Sequence, residues 1–424
     1  MHALSSLALA ATLLATHRLA AGEEARREPS RFSFSSSLQT WGYFNRQAAA
    51  NDSPLNPDNA VLRIADEQFI ADARLDMRMS FGSVDLIWQP RLYDESEQNG
   101  SGAHNQSKAG FRQAFARLRF GDGATVTAGR DVLAWGPANF RSPSSPFYFD
   151  SGKLNQLKEV DGVDLARIEQ LAGPFSLSLG YVFDTPRRSG GAASDTGFMK
   201  IDFQSMGLVA SANLARIDHR RTFIGGFGQY NLGDAWMLYA EYGYGPRARG
   251  MSIDASRQPP FTPNEPAASA ASYLGGASYT LLNGYTVSLE YLYDRHGYSS
   301  HDQDTYLDLL EQYALAAGTS DPAVRGHSLG VLGLAAATTP ALLGRKYLSL
   351  LWQSSLQETT QYWRLAATGN THDGSGQLSG YFEKNLSPHF SIFFNGVRNV
   401  GARASEFNLG VEYVLSVGVK AFVF

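Results

Sequence analysis

The chain has 424 residues, 42 of them Gly and none Cys, with a formal net charge of −4 and 18% charged side chains. That length allows one large domain or two ordinary ones, and the missing cysteines exclude a disulfide framework and thiolate-held metals. The charge content lies below the roughly 25% of typical soluble proteins, and without a basic stripe there is no surface for nucleic acid.

The first element is "MHALSSLALAATLLATHRLAAG", apolar from Ala3 to Ala15 and followed by the small residues Ala20, Ala21 and Gly22. This pattern predicts a secretory signal over 1–22, cleaved near Gly22, and a polar periplasmic lead-in over 23–31. Mean hydropathy is −0.24, and no later stretch reaches the roughly 18 apolar residues of a membrane helix. Export without a helical anchor is expected.

From residue 32 to 424 the chain alternates apolar and polar residues with period two, the mark of strands with two different faces. Phe69, Ala71, Ala73, Leu75, Met77, Met79 and Phe81 share one face, against Asp72, Arg74, Asp76 and Arg78 on the other. Ala114, Ala116, Leu118 and Phe120 likewise oppose Gln113, Arg117 and Arg119. Further runs lie at Phe175–Phe183, Trp236–Tyr244, Val287–Tyr293 and Phe407–Tyr413. Long connections, at 45–66, 94–110, 131–160, 184–196, 245–270, 294–345, 368–376 and 398–405, alternate with tight turns such as "SFGS" at Ser80, "GDGA" at Gly121 and "LAGP" at Leu171. Such asymmetry predicts an all-β, closed antiparallel transmembrane barrel with short periplasmic turns and long extracellular loops. The count is about 18 strands, with 16 as the alternative. The last strand reads as one long segment from Glu406 to Phe424. It must close on "FSFSSSLQTWGYF" at Phe32, because an open sheet edge in lipid leaves backbone groups unpaired.

The terminal Phe424 resembles the C-terminal signature of Gram-negative outer-membrane barrels, with Lys420 interrupting its apolar spacing. That resemblance implies recognition by the barrel-assembly machinery, and a place in the outer membrane among lipid and lipopolysaccharide. The segment Gly129–Arg167, "GRDVLAWGPANFRSPSSPFYFDSGKLNQLKEVDGVDLAR", follows the fifth predicted strand. It resembles the constriction loop that folds into the lumen of porins, and its wording is similar to alginate-export-type and other substrate-specific porins. The resemblance implies a constriction over 131–160, no cofactor, and passive passage of small hydrophilic solutes.

Charges on the lipid face cost about 2–4 kcal/mol at mid-membrane, so Arg74, Arg78, Arg91, Arg117 and Arg119 are expected to line the lumen, with Asp72, Asp76 and Asp85 among them. Asp150, Glu159 and Asp161 of the long loop are candidates to face this cationic strip across the pore. The alternative is cross-strand pairing that stiffens the wall. Trp135, Phe140 and Tyr148, with Phe147 and Phe149, either pack against the wall or offer stacking surfaces to a sugar. Trp41, Tyr43, Trp88, Tyr93, Trp236 and Tyr242 fit interfacial girdle positions.

The longest loop carries an amphipathic helix, "DTYLDLLEQYALAAG", with Leu307, Leu310, Tyr313 and Ala314 on one face. Residues 302–343 are therefore expected to form a helical piece at the outer mouth or a plug. Gly326-His327-Ser328-Leu329-Gly330 matches the nucleophile-elbow pattern, but that motif needs a preceding strand, and "GTSDPAV" stands there instead. His296, His301, Asp302 and Asp304 have calcium-like oxygen spacing, although solvated loop polarity is the favoured reading and no metal is assigned. The expected function is a passive outer-membrane channel for small hydrophilic solutes, oligosaccharides or anions among them, and not an enzyme. The alternatives are a non-conducting surface barrel that binds or assembles polysaccharide, and a barrel hydrolase using Ser328. Oligomeric state stays open.

Overall fold

The alternating runs fold as antiparallel strands, with one exception. The computed structural model describes residues 32–99, 102–183, 195–246, 250–264, 268–355 and 357–423. The expected leader 1–22, the lead-in 23–31, residues 184–194 of the fourth long loop and Phe424 lie outside these. In chain order the strands are β1 Ser33–Ala49, β2 Glu67–Phe81, β3 Val84–Asn99, β4 Gly102–Phe120, β5 Ala124–Asp131, β6 Val163–Ala172, β7 Phe175–Val182, β8 Thr196–Ser205, β9 Leu208–Ile217 and β10 Arg221–Leu232. They continue as β11 Trp236–Gly245, β12 Gly250–Ile253, β13 Phe261–Asn264, β14 Ala270–Thr280, β15 Thr286–Asp294, β16 Lys346–Gln353, β17 Gln361–Asn370, β18 Gly376–Ser387, β19 Phe390–Val400 and β20 Val411–Val423. Eighteen of them form one sheet, while β12 and β13 make a separate hairpin.

Each barrel strand pairs with its neighbour in sequence, and β1 pairs with both β2 and β20, so the sheet is closed. Leu38 stands opposite Val423 and Trp41 opposite Lys420 across the seam. Closure removes the edges that hydrocarbon cannot satisfy. On one side the strands join through tight turns, where Gly82 at φ 58° and Gly173 at φ 57° adopt a left-handed backbone that a Cβ would strain. The outward faces carry large apolar side chains, including Phe69, Leu92, Leu365 and Val423.

Three sequence expectations change. The exception is Phe407: Glu406–Asn408 is a 3-10 turn, so the last strand begins at Val411. Residues 94–110 are no loop, because β3 and β4 run on as a long hairpin to Asn99 and Gly102; at 16 and 19 residues these strands are longer than the roughly 9–11 that a membrane crossing needs. Trp41, Tyr43 and Tyr93 do not belong to the girdle. Trp41 and Tyr43 are buried, and all three contact guanidinium or aromatic partners inside the barrel. Trp88, Trp236 and Tyr242 are the outward-facing members of that set.

The outer mouth carries two helices, Ser300–Ala317 and Pro322–Thr338. Ser299 caps the first by accepting from the Asp302 amide, and Asp321 caps the second by accepting from Ala323 and Val324, each filling an orphan donor. Tyr306, Leu307 and Leu310 pack against Val331, Leu332 and Ala335. The pair is seated on Leu55, Met251, Phe261 and Leu409 from the other long loops. Ser328 lies inside the second helix and is buried, without the strand that an elbow serine requires.

Candidate functional site

The lumen is organised by the segment between β5 and β6. Residues 132–162 have no regular structure and leave the wall for the barrel interior. Their apolar side chains fix three contacts. Leu133, Trp135, Phe147 and Tyr148 pack on Leu165, Val182, Phe198 and Phe223 of the wall. Ala138 and Phe140 pack on Tyr239, Leu274, Leu292 and Tyr347. Leu157 reaches the seam cluster of Tyr43, Ile70, Tyr381 and Phe393.

Polar anchors complete the attachment. Glu241 on β11 accepts from the Ala138 amide at 2.8 Å and from the Ser142 and Ser144 hydroxyls at 2.7 Å each. Glu290 on β15 accepts from the Asn139 amide at 2.6 Å, the Phe140 amide at 2.8 Å and the Tyr239 hydroxyl at 2.6 Å. Lys153 donates to the Gly136 and Ala138 carbonyls at 2.9 Å each, and Arg364 of β17 donates to the Lys153 carbonyl. The Gly136–Phe140 turn is thus held by carboxylates on its amides and an ammonium on its carbonyls. Burial pushes Lys153 below its usual range, although Glu241 and Glu290 pull it upward. Gly243 makes the close approach feasible: a Cβ there would lie 1.9 Å from the Pro143 carbonyl oxygen.

The sequence-predicted charges separate into two groups. Arg74 and Arg91 both bind Asp72, at 2.7 and 2.5 Å, and Glu159 comes down on Arg74 at 2.8 Å and on Arg91 at 3.7 Å. Glu159 therefore sits on the strip itself and not across an open pore. Charge-assisted bonds of this kind are strong when buried and fully paired. Arg112, which strand alternation does not single out, is a third neighbour of Glu159 at 3.9 Å. Asp150 pairs with Arg141 and Lys158 inside the loop. Burial would raise its carboxyl, but these two cations hold it below the ordinary range. Asp161 offers its carbonyl to the Tyr148 hydroxyl at 2.5 Å.

Arg78 and Arg119 form the second group, toward the short turns. Their side chains remain 55% and 49% exposed while touching Asp76 and Asp85. Arg117 lies over the Phe115 ring and donates to Thr127, with no ion pair to it among the described residues. Trp135, Phe140 and Tyr148 are buried against the wall, which leaves them no open ring face for a sugar.

The seam holds a network that alternation alone does not reveal. Lys420 donates to Glu383 at 2.6 Å and to the Tyr381 hydroxyl at 2.7 Å, and its ammonium stands 4.2 Å from the Trp41 ring. Inward orientation explains the one Lys in the final apolar run. The calcium-like residues go separate ways: His296 meets Asp294 and the Gly245 carbonyl, and Asp304 meets His372.

Known structures share this architecture. OccK7 (OpdD) of Pseudomonas aeruginosa aligns with TM-score 0.53 at 12% identity, covering 93% of this chain and 99% of that one. OccAB4 of Acinetobacter baumannii aligns with TM-score 0.56 at 7% identity, covering 94% and 100%. OccK5 (OpdH) of Pseudomonas aeruginosa gives 0.51 at 11%, covering 92% and 99%. At such identities the likeness is one of fold. No curated protein sequence matches. The family model described as Gram-negative porin matches residues 8–321, well over half of the sequence, and with a closed eighteen-strand barrel and an inward-folded third long loop this chain belongs to that porin family of the outer membrane.

Proposed function

We propose that this porin passes small hydrophilic solutes by diffusion and prefers anions. The observation that carries the preference is Arg117, a lumen cation without an acidic partner among the described residues, two residues before the half-exposed Arg119 on the same strand. In a narrow low-dielectric passage an unpaired fixed charge raises the local concentration of counter-ions. The neighbouring Arg74, Arg78, Arg91 and Arg119 are matched by Asp72, Asp76, Asp85 and Glu159, so the preference should be mild.

A second reading, a barrel closed at rest, is favoured by the helix pair at the outer mouth and by the buried anchoring of 132–162. Planar-bilayer recording separates the two. The channel reading expects steady openings with an anion-directed reversal potential, moved toward zero by Arg117→Ala together with Arg119→Ala. Silence in the intact protein, with openings only after removal of 302–343, would support the closed barrel. The excision is geometrically mild, because outside the excised segment the Asp294 amide bonds the Arg345 carbonyl at 2.7 Å and so holds the loop ends together.

A further inference from the structure

The outer surface of the barrel is not uniformly bulky. Across five neighbouring strands the ladder register places Leu365 of β17 opposite Gly380 of β18, Gly380 opposite Gly396 of β19, Gly396 opposite Leu415 of β20, and Leu415 opposite Arg46 of β1. One lateral row therefore has a floor of two glycines and ends on a guanidinium. The row on its short-turn side is Trp363, Phe382, Phe394, Val417 and Phe44. These flank a groove of about 660 Å³ on the lipid-facing wall.

Arg46 is the anomaly. It is exposed, it shares the outward face of Leu415, and it stands near the outer end of β1, which stops at Ala49. Glu67 lies opposite on β2, yet no ion pair holds Arg46 among the described residues. One row nearer the mouth, Arg398 is 68% exposed and touches Glu412 at 3.5 Å. A lipid-facing Arg costs about 2–4 kcal/mol at the midplane and roughly 0–1 kcal/mol near the interface. An interfacial place for Arg46 follows, with an anionic headgroup to meet it.

We propose that this groove is a binding site for a phosphorylated, acylated lipid of the outer leaflet, lipid A. An acyl chain lies over Gly380 and Gly396, and a headgroup phosphate meets Arg46, with Arg398 beside it. A second glycine-floored groove of about 460 Å³, around Gly226, Gly228 and Gly275, has no Lys or Arg in its lining and serves as the internal control. The site is independent of what passes through the lumen.

The test is native mass spectrometry of the intact detergent-extracted barrel, washed free of lipid and titrated with diphosphorylated lipid A, dephosphorylated lipid A and phosphatidylglycerol. We expect one diphosphorylated lipid A per chain, weakened about fivefold by Arg46→Gln. Gly396→Leu should abolish it, and Gly226→Leu should leave it unchanged. Should Gly396→Leu fail to fold, Gly396→Ala serves: its Cβ would lie 3.5 Å from Leu415 Cδ2, an ordinary contact, and a partial loss is expected. Binding unaffected by Arg46→Gln would overturn the proposal. Equal uptake of the dephosphorylated form or of phosphatidylglycerol would do so too, as would a lipid-free dimer mass, which would make this face an interface between two copies.

Discussion

Replacing Glu290 by Ala tests whether wall carboxylates hold the inward loop. In the native barrel this side chain accepts from the Asn139 and Phe140 amides and the Tyr239 hydroxyl, and it is 2% exposed. Each buried donor left without an acceptor costs about 1–3 kcal/mol, so three cost about 3 kcal/mol at the least. At roughly 1.4 kcal/mol per factor of ten, the anchored arrangement loses on the order of a hundredfold in population against detached ones. The ladder bonds of β15 are backbone bonds to β14 and β16 and survive. Single-channel recording of Glu290→Ala should therefore show larger mean conductance and frequent sublevel switching, while heat-modifiable gel migration confirms a folded barrel. Glu290→Gln keeps one acceptor oxygen and turns an N–H toward a donor, so a smaller change of the same sign is expected. A folded Glu290→Ala barrel with native conductance and native noise would refute the anchoring.

Other consequences follow from the same contacts. Glu159→Gln removes the acid facing Arg74, Arg91 and Arg112, and reversal potentials in a salt gradient should move toward anion selectivity. Lys420→Met leaves Glu383 buried without its cation, a change that costs about 3–5 kcal/mol and should lower the temperature at which the barrel loses its folded gel mobility. Asp150 has its carboxyl depressed in the fold, so its stabilising contribution is present above the unfolded value near 4 and is lost only as pH falls below it. Loop-dependent current noise should stay flat from neutral pH down to about 5, rise in stronger acid, and be present at all pH values in Asp150→Asn.

The strand pattern is legible because a closed membrane sheet enforces period two on both faces and leaves turn residues at one end. Gly82 and Gly173 mark turns for a backbone reason that holds in any context. The position of the third long loop is legible for the same cause: it follows the fifth strand, and its aromatics have to be buried somewhere. What alternation does not distinguish is a girdle aromatic from a lumen aromatic. Trp41 and Tyr43 occupy the inward parity of β1, and only the register with Lys420 and the neighbouring Arg74 fixes that parity. Glu241 and Glu290 are silent in the sequence because a lone acid in an apolar strand shows its role only through partners about a hundred residues away or more, the amides of Ala138 and Asn139. Glu159 stands out by its charge, but its direct seat on Arg74 depends on a loop path that no period describes.

The inward loop also has a mechanical meaning. It leaves the wall at β5, ties to β11 and β15 through two carboxylates, receives Arg364 from β17, and lands on β2 and β3 through Glu159. An empty ring of eighteen strands flattens easily under lateral pressure, since ovalising it only bends the sheet between strands. A chord fastened at several points of the circumference behaves as a tie-rod and resists that mode. The cross-section of this barrel is therefore set from inside as well as by its hydrogen-bonded hoop, and cutting the tie should soften the whole ring, far beyond the few residues it touches.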